Sequence, residues 1–423
     1  MRLFTFLFFF ILNIGIGLSQ DFVLVSVGES YGLQSYYSLS NDNESQIDNN
    51  DWDIAFHYFD GSLLINESSK TTFLEPAKEL RCYATPFTDF NQTFTSDDVT
   101  DRLWNEEASW SKGAFNTVKD SGDASDFGWG KAEGNGNYTG TRVFALRLKS
   151  TSWIKLQVIN VTPSTLNFRI AGLNGANLQT VSIPLNGTSE GDFVYYSIEK
   201  DLHVQTIPSS WDMVFKRYVT PIDDNLGGFL DYTVTGVLSF PGTQVAQATH
   251  VDPIAVEISA YQDSFSKAGD AIGYDWKNFD FENSNEWTVY EDYAFFIKTR
   301  SGGIWKIVFI DFEGTSTGNI VFQKYFLGTS SVNQIEGNDL DLKIFPNPVN
   351  SSSQIIIDGI QKSQYGDLLI YDLMGRQVYR QNVSLNSGLN VLHLHDLNLA
   401  NGQYILKVQT QEKRISKPII VTR

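Results

Sequence analysis

The residues able to ligate, attack or carry protons are few and scattered along 423 positions, with five histidines, three methionines and one cysteine among them. His57 lies inside the apolar run "WDIAFHYF", on an expected strand. His203 and His250 fall in the second half, and His250 sits in "VAQATHVDPIAVEI" among loop-like neighbours. A loop imidazole can turn a free nitrogen outward, whereas one on a strand is held by its neighbours. Met213 follows a Trp-Asp pair on an expected strand and reads as core. His393 and His395 alternate in "VLHLHDL", so they share one strand face; solvent-facing strand histidines account for that spacing, and no metal site is expected. Acidic stretches such as "NDNES" and "DNNDWD" lack the alternating ligands, the Gly and the distal Glu of a calcium loop. Neither a glycine-rich phosphate loop nor G-x-S-x-G nor H-E-x-x-H occurs, so no catalytic residue is assigned and the chain reads as non-enzymatic. A carboxylate pair for glycoside hydrolysis is defined only in space and stays open at this level. Trp104 and Trp110 in "LWNEEASWSKG" are the candidates for stacking on sugar rings were a glycan the ligand.

These side chains must be positioned by strands. Nineteen Tyr and thirty Phe, with abundant Val, Ile and Thr and frequent Gly, Asn and Asp breaks, suit pleated, half-buried sheets better than helices. The expected class is all-β: two duplicated antiparallel β units followed by a small C-terminal β-sandwich. Net charge is −18, which repels phosphates, and no basic patch offsets it, so nucleic acid is excluded as a partner. Residues 1–19, one Arg before an apolar run ending in small residues, read as a secretory signal peptide. Cys82 cannot form an internal disulfide and reads as a small buried hydrophobe.

The chain also repeats itself. "YYSLSNDNESQIDNNDWDIAFHYF" from Tyr36 aligns without a gap on "YYSIEKDLHVQTIPSSWDMVFKRY" from Tyr195, placing Trp52 and Asp53 on Trp211 and Asp212. "FALRLKSTSWIKLQVINV" from Phe144 aligns on "FFIKTRSGGIWKIVFIDF" from Phe295, with Lys155 on Lys306; "DFGWGK" and "AIGYDWK" match more loosely between them. An internal duplication follows, with units over 20–175 and 176–328, each expected to hold its own core. Trp52 and Trp211 are expected to fill cores, and Asp53 and Asp212 to accept bonds from backbone donors close by. The Ser-Gly-Gly of the second block reads as a hairpin turn.

The "DWDIAF" run, the later Gly/Tyr/Trp element and the "FFIKTRSGGIWKI" hairpin together resemble the HmuY-like family of secreted haem-binding β proteins from Bacteroidetes. The resemblance implies a haem ligand held by paired His or Met side chains on loops of an all-β scaffold. In this sequence the first unit offers only His57. The haem-ligand candidates carried over are therefore His250, with His203 as the residue that would complete a pair. No cofactor is required by the residues themselves, and haem is what the resemblance implies.

From Leu342 to Arg423, "LKIFPNPVN", "LLIYDLMGRQV" and "NGQYILKV" resemble the type A C-terminal sorting domain of the Bacteroidetes type IX secretion system. Pro346 and Pro348 fix an extended entry, and evenly spaced short strands fit a small sandwich. The resemblance implies that residues 342–423 are read by the type IX machinery, and that the cargo is released or attached at the outer-membrane surface. The polar stretch 329–341 reads as the linker before this domain.

Overall fold

Apolar residues at alternate positions, interrupted by Gly, Asn and Asp, build antiparallel sheets throughout the computed structural model, and no helix reaches seven residues among the described residues. The structure describes residues 20–329 and 341–421, apart from 58–59, 70–78, 186–192, 206, 209–210, 225, 281–283, 346–348, 350–352, 361, 373–375, 387, 394–398 and 411–413. The signal peptide, nearly all of the 329–341 linker, Pro346, Pro348 and His395 lie outside the described residues. The chain divides into two units, one ending at Thr329 and one beginning at Ser330.

The first unit stacks four sheets. The first runs β13 (Gln179–Pro184), β12 (Thr165–Gly172), β11 (Trp153–Val161), β10 (Phe144–Arg147), β6 (Arg81–Tyr83) and β7 (Arg102–Leu103), with the hairpin β8 (Gly130–Gly134) and β9 (Asn137–Gly140) joined to β11. The second is β15 (Leu202–Val204), β14 (Phe193–Ser197), β4 (Ile54–His57) and β5 (Ser62–Ile65). The third is β17 (Phe229–Ser239), β16 (Met213–Asp223), β2 (Leu33–Ser38) and β3 (Asn43–Asp48). The fourth is β1 (Gln20–Ser26), β23 (Asn319–Thr329), β22 (Gly303–Phe312), β21 (Ala294–Lys298) and β18 (Gln244–Ala248), and a short ribbon joins β19 (Lys277–Phe279) to β20 (Trp287–Val289). Phe56, Trp129, Phe144 and Tyr196 fill the space between the first two sheets, and Tyr37, Phe215, Trp276 and Phe295 that between the last two. The second and third sheets meet back to back through Trp52, Tyr195, Tyr36 and Trp211.

The sheets do not keep to the division expected at residues 175 and 176. β14 from the second half pairs with β4 from the first, Tyr196 opposite Ile54. β2 pairs with β16, Tyr37 opposite Met213, and β1 pairs along its length with β23. A half taken alone would leave these edges with open N–H and C=O groups, and the three large cores of the first unit each draw residues from both halves, so neither half completes its main core by itself. Asp53 and Asp212 accept bonds from backbone donors, as expected, and the exchange supplies those donors from across the chain. Asp53 Oδ2 accepts the Ile198 N–H at 2.7 Å, and Asp212 Oδ2 accepts the Leu39 N–H at 2.7 Å, each donor lying in the opposite half.

Aligned positions nevertheless take matching places. Tyr36 meets Trp211 edge-on at 5.2 Å and Tyr195 meets Trp52 at 5.1 Å. The Tyr37 hydroxyl donates to Asp42, the Tyr196 hydroxyl to Asp201, and both aspartates sit at positive φ. Lys155 and Lys306 are both buried, donating to the carbonyls of Gln92 and Ile254 at 2.8 Å, and each thereby pins a loop over an outer sheet face. The expected hairpin forms between β21 and β22, its turn closed by Gly302 at a φ of 87° that a side-chain-bearing residue rarely adopts.

The second unit packs β24 (Asp341–Phe345), β25 (Gln354–Ile360) and β28 (Gly388–His393) against β27 (Gln377–Leu385), β26 (Gln364–Asp372), β29 (Gly402–Thr410) and β30 (Arg414–Val421). Leu342, Ile355 and Ile357 from one sheet meet Leu368, Ile370 and Leu406 from the other, the two-layer core of a small sandwich.

Candidate functional site

His250 follows β18 and opens the loop that crosses the outer face of the fourth sheet. Val251, Val256 and Tyr261 pack that loop onto Ala246, Phe296 and Val308. The Lys306 ammonium holds the Ile254 carbonyl from beneath, and Asp252 Oδ1 accepts the N–H of Ile254 at 2.9 Å and of Ala255 at 3.3 Å, closing an Asx-type turn. His250 itself adopts a φ of 58°, and the Val251 N–H donates to the Asp292 carbonyl at 3.1 Å. The imidazole is therefore set by its backbone on both sides.

The ring is 83% exposed, and its Nδ1 lies 2.9 Å from Oδ2 of Asp292. A carboxylate on Nδ1 fixes the ring orientation, and in the tautomer that donates Nδ1–H to it the other nitrogen, Nε2, is the acceptor on a largely exposed ring. Tyr293 stands edge-on to the imidazole at 6.3 Å and is stacked on Tyr290 at 4.9 Å, with Ile254 exposed nearby on the same loop. The arrangement offers one nitrogen lone pair beside an aromatic and apolar shelf. Asp292, Tyr290 and Tyr293 escape a sequence reading because they lie some forty residues further on. Only the pairing of β18 with β21, Ala248 opposite Ala294, sets them beside His250. The tyrosine-rich "YEDY" just ahead of an apolar strand was the one available signal.

The other sequence candidates go elsewhere. His203 lies in β15 opposite Tyr196, half-buried in the second sheet, where burial pushes its imidazole pKa down. The structure does not bring it to His250, which lies over the fourth sheet. His57 is buried in β4, stacked on Phe193 at 4.6 Å with Nδ1 2.6 Å from an Asp60 oxygen. Met213 is fully buried in the core, and Cys82 is buried with its thiol pKa pushed up by desolvation. The Arg102 guanidinium covers Trp104 at 3.6 Å, while Trp110 donates to the Ser239 carbonyl at 2.7 Å and packs on Phe193 and Trp211. One face of Trp104 is thus taken by an arginine, and Trp110 is engaged by its indole N–H and two aromatic neighbours. Among the described residues no group of three or more His, Cys, Asp or Glu is placed to hold a metal ion.

Comparison with known proteins agrees with the sorting-domain resemblance and, within the first half of the chain, with the HmuY-like one. Residues 343–422 match the family model described as the secretion system C-terminal sorting domain, and residues 30–168 match that of the HmuY protein. The HmuY segment runs from just before β2 into β12, so it contributes to three of the four sheets and leaves His203 and His250 outside it. No curated protein sequence matches the chain. A solved structure, dimeric latent PorU from Porphyromonas gingivalis, is similar across 95% of this chain at 12% identity and a TM-score of 0.19, and the match spans 34% of that longer chain. The chain is thus a secreted or cell-surface protein in which an HmuY-like segment precedes a type IX secretion C-terminal sorting domain.

Proposed function

We propose that this is a non-enzymatic binding protein, delivered by type IX secretion to the cell surface or the medium, and that its ligand site is the shelf around His250. Both matched families are generally non-enzymatic, which supports the first part. The His250–Asp292 pair carries the second, because it is the arrangement by which proteins orient a histidine toward a metal centre. The HmuY family is associated with haem. His250 would hold the iron of a haem through one ring nitrogen, with Asp292 orienting the ring and Tyr290, Tyr293 and Ile254 supplying apolar surface for the macrocycle. When bound, haem would supply the iron that accepts this nitrogen. No second His or Met of the first unit's described residues stands beside His250, so the residues fit a single-ligand site weaker than a two-ligand clamp.

A Soret-band titration of the exported protein tests this. Saturable, modest binding is expected, lost in His250→Ala, weakened about 10- to 100-fold in Asp292→Asn and unchanged in His203→Ala. Binding that survives His250→Ala, or none at all in the native protein, would refute haem as the ligand of this shelf.

A further inference from the structure

The β16–β17 hairpin extends beyond the strand that supports it. β2 pairs with β16 only over Met213–Phe215, whereas β16 and β17 remain paired as far as Asp223 opposite Phe229. Register sets Thr220 beside Tyr232 and Ile222 beside Leu230 on one face of this ribbon. Leu226, Leu230 and Tyr232 are 90%, 57% and 53% exposed. Three exposed acids border them, Asp223 and Asp231 on the opposite face of the ribbon and Asp224 in its turn.

At the foot of the ribbon the same face meets carboxylates. The Thr220 hydroxyl donates to Glu107 Oε1 at 2.7 Å, which ties the 105–110 loop to β16. Asp270 lies close to Glu107: burial first, then the charges of Glu107, Asp275 and Glu106, raise its carboxyl above the ordinary value. Glu106 is answered by Lys112 at 2.8 Å, but Glu107, Asp270 and Asp275 have no ion-pair partner among the described residues. Lys277, the nearby buried ammonium, donates instead to the carbonyls of Thr235 at 2.6 Å and Tyr274 at 3.0 Å. Beneath the acids lies the Tyr218 hydroxyl, 1% exposed and without a hydrogen-bond partner, within electrostatic reach of Asp270, Glu107 and Asp275. Asp275 has the Lys277 ammonium within electrostatic reach, so Glu107 and Asp270 are the carboxylates without a cation beside them; over a buried unpaired hydroxyl and next to exposed Leu and Tyr, they form a face complementary to a cation flanked by apolar groups.

We propose that this face docks a basic polypeptide segment, with a Lys or Arg side chain set against Glu107 and Asp270 above the Tyr218 hydroxyl and its apolar neighbours laid along Ile222, Leu230 and Tyr232. Charge selects this occupant. A second copy of a chain carrying −18 brings mainly like charge, and the ribbon acids repel an anionic membrane surface.

The test uses the full-length protein and a short labelled peptide of alternating Lys and Leu, with a Lys/Ser peptide as control, read by fluorescence anisotropy in about 0.15 M salt. The Lys/Leu peptide is expected to bind more tightly than the control. Glu107→Gln with Asp270→Asn, and separately Leu230→Ser with Tyr232→Ser, should each weaken it at least about tenfold, while Asp97→Asn with Asp101→Asn leaves it unchanged. Unchanged thermal midpoints in the variants exclude unfolding as the cause. Equal binding of the Lys/Ser peptide, or equal loss in the Asp97/Asp101 variant, would overturn the proposal in favour of general acidity. A self-associating species, or flotation on phosphatidylcholine vesicles, that disappears with Leu230→Ser and Tyr232→Ser while peptide binding persists would equally overturn it, by assigning the face to a second copy or to lipid.

Discussion

Asp53 receives the backbone N–H of Ile198 from 145 residues away, at 2.7 Å, and its aligned counterpart Asp212 receives that of Leu39 in the reverse direction. Two halves that resemble each other in sequence are thus each closed by the other. The backbone agrees, since Asp53 N–H donates to the Tyr196 carbonyl and Asp212 N–H to the Tyr37 carbonyl.

This exchange predicts how the chain divides. Residues 20–175 and 176–328 expressed separately should each lack a cooperative thermal transition, since β14 and β15 are missing from one and β1 to β3 from the other. Mixed during refolding, they should recover the far- and near-ultraviolet circular dichroism of the intact unit. A sharp independent transition in either half would contradict the pairing described here.

Trp52 and Trp211 lie on opposite sides of one buried junction, 3% and 4% exposed. Replacing either by Ala should cost about 3–5 kcal/mol by leaving a cavity. Because the junction is shared, both variants should lower a single unfolding transition of the first unit, measured by calorimetry of a chain ending at residue 329. Two transitions, with each variant moving only one, would show that the halves unfold independently.

The two aspartates have different charged neighbours. Lys149 lies 2.6 Å from Asp53, both buried, so Asp53→Ala strands a buried ammonium and should cost about 3–5 kcal/mol. Asp212 has no such contact, and burial lifts its carboxyl from 3.8 to about 6 against the pull of the Leu39 N–H and the Ser38 hydroxyl. With the folded value raised, the folded state holds a proton that the unfolded chain releases between those two values. Its contribution is fully present below pH 3.8, declines as pH rises and is gone above about 6. Denaturant titrations should therefore show wild type gaining on Asp212→Asn by about 2 kcal/mol between neutral pH and pH 4. A difference independent of pH would show that Asp212 stays ionised.

Removing residues 342–423 should leave the protein in the periplasm with the first unit still folded, because the terminal sandwich has its own core. Cell fractionation gives the location, and an unchanged thermal midpoint of the first unit shows that the fold survives. Delivery of the truncated chain to the surface or medium would refute export through this domain.

The sequence alone determined the local and periodic features of this protein. Alternation and turn residues specify strands, so "WDIAFHYF" yields β4 with His57 buried on it, and Ser-Gly-Gly yields the β21–β22 hairpin. The terminal sorting domain was legible for the same reason, being a contiguous stretch whose signals are short-range. Partner choice between strands was not legible, because β2 has the same pattern whether it completes its own half or the other. What decides between those is which edge is left open after the long hairpins have closed, a property of the assembled sheets. The ligand site shows the same limit. His250 could be picked out as a loop histidine, but Asp292 and Tyr293, which orient its ring and flank it, reach it only through the register of β18 on β21. Likewise, no local pattern distinguishes Tyr232 and Leu230 from core residues. Tertiary structure alone leaves them in water, because the supporting strand β2 ends its pairing with β16 at Phe215, before it reaches them.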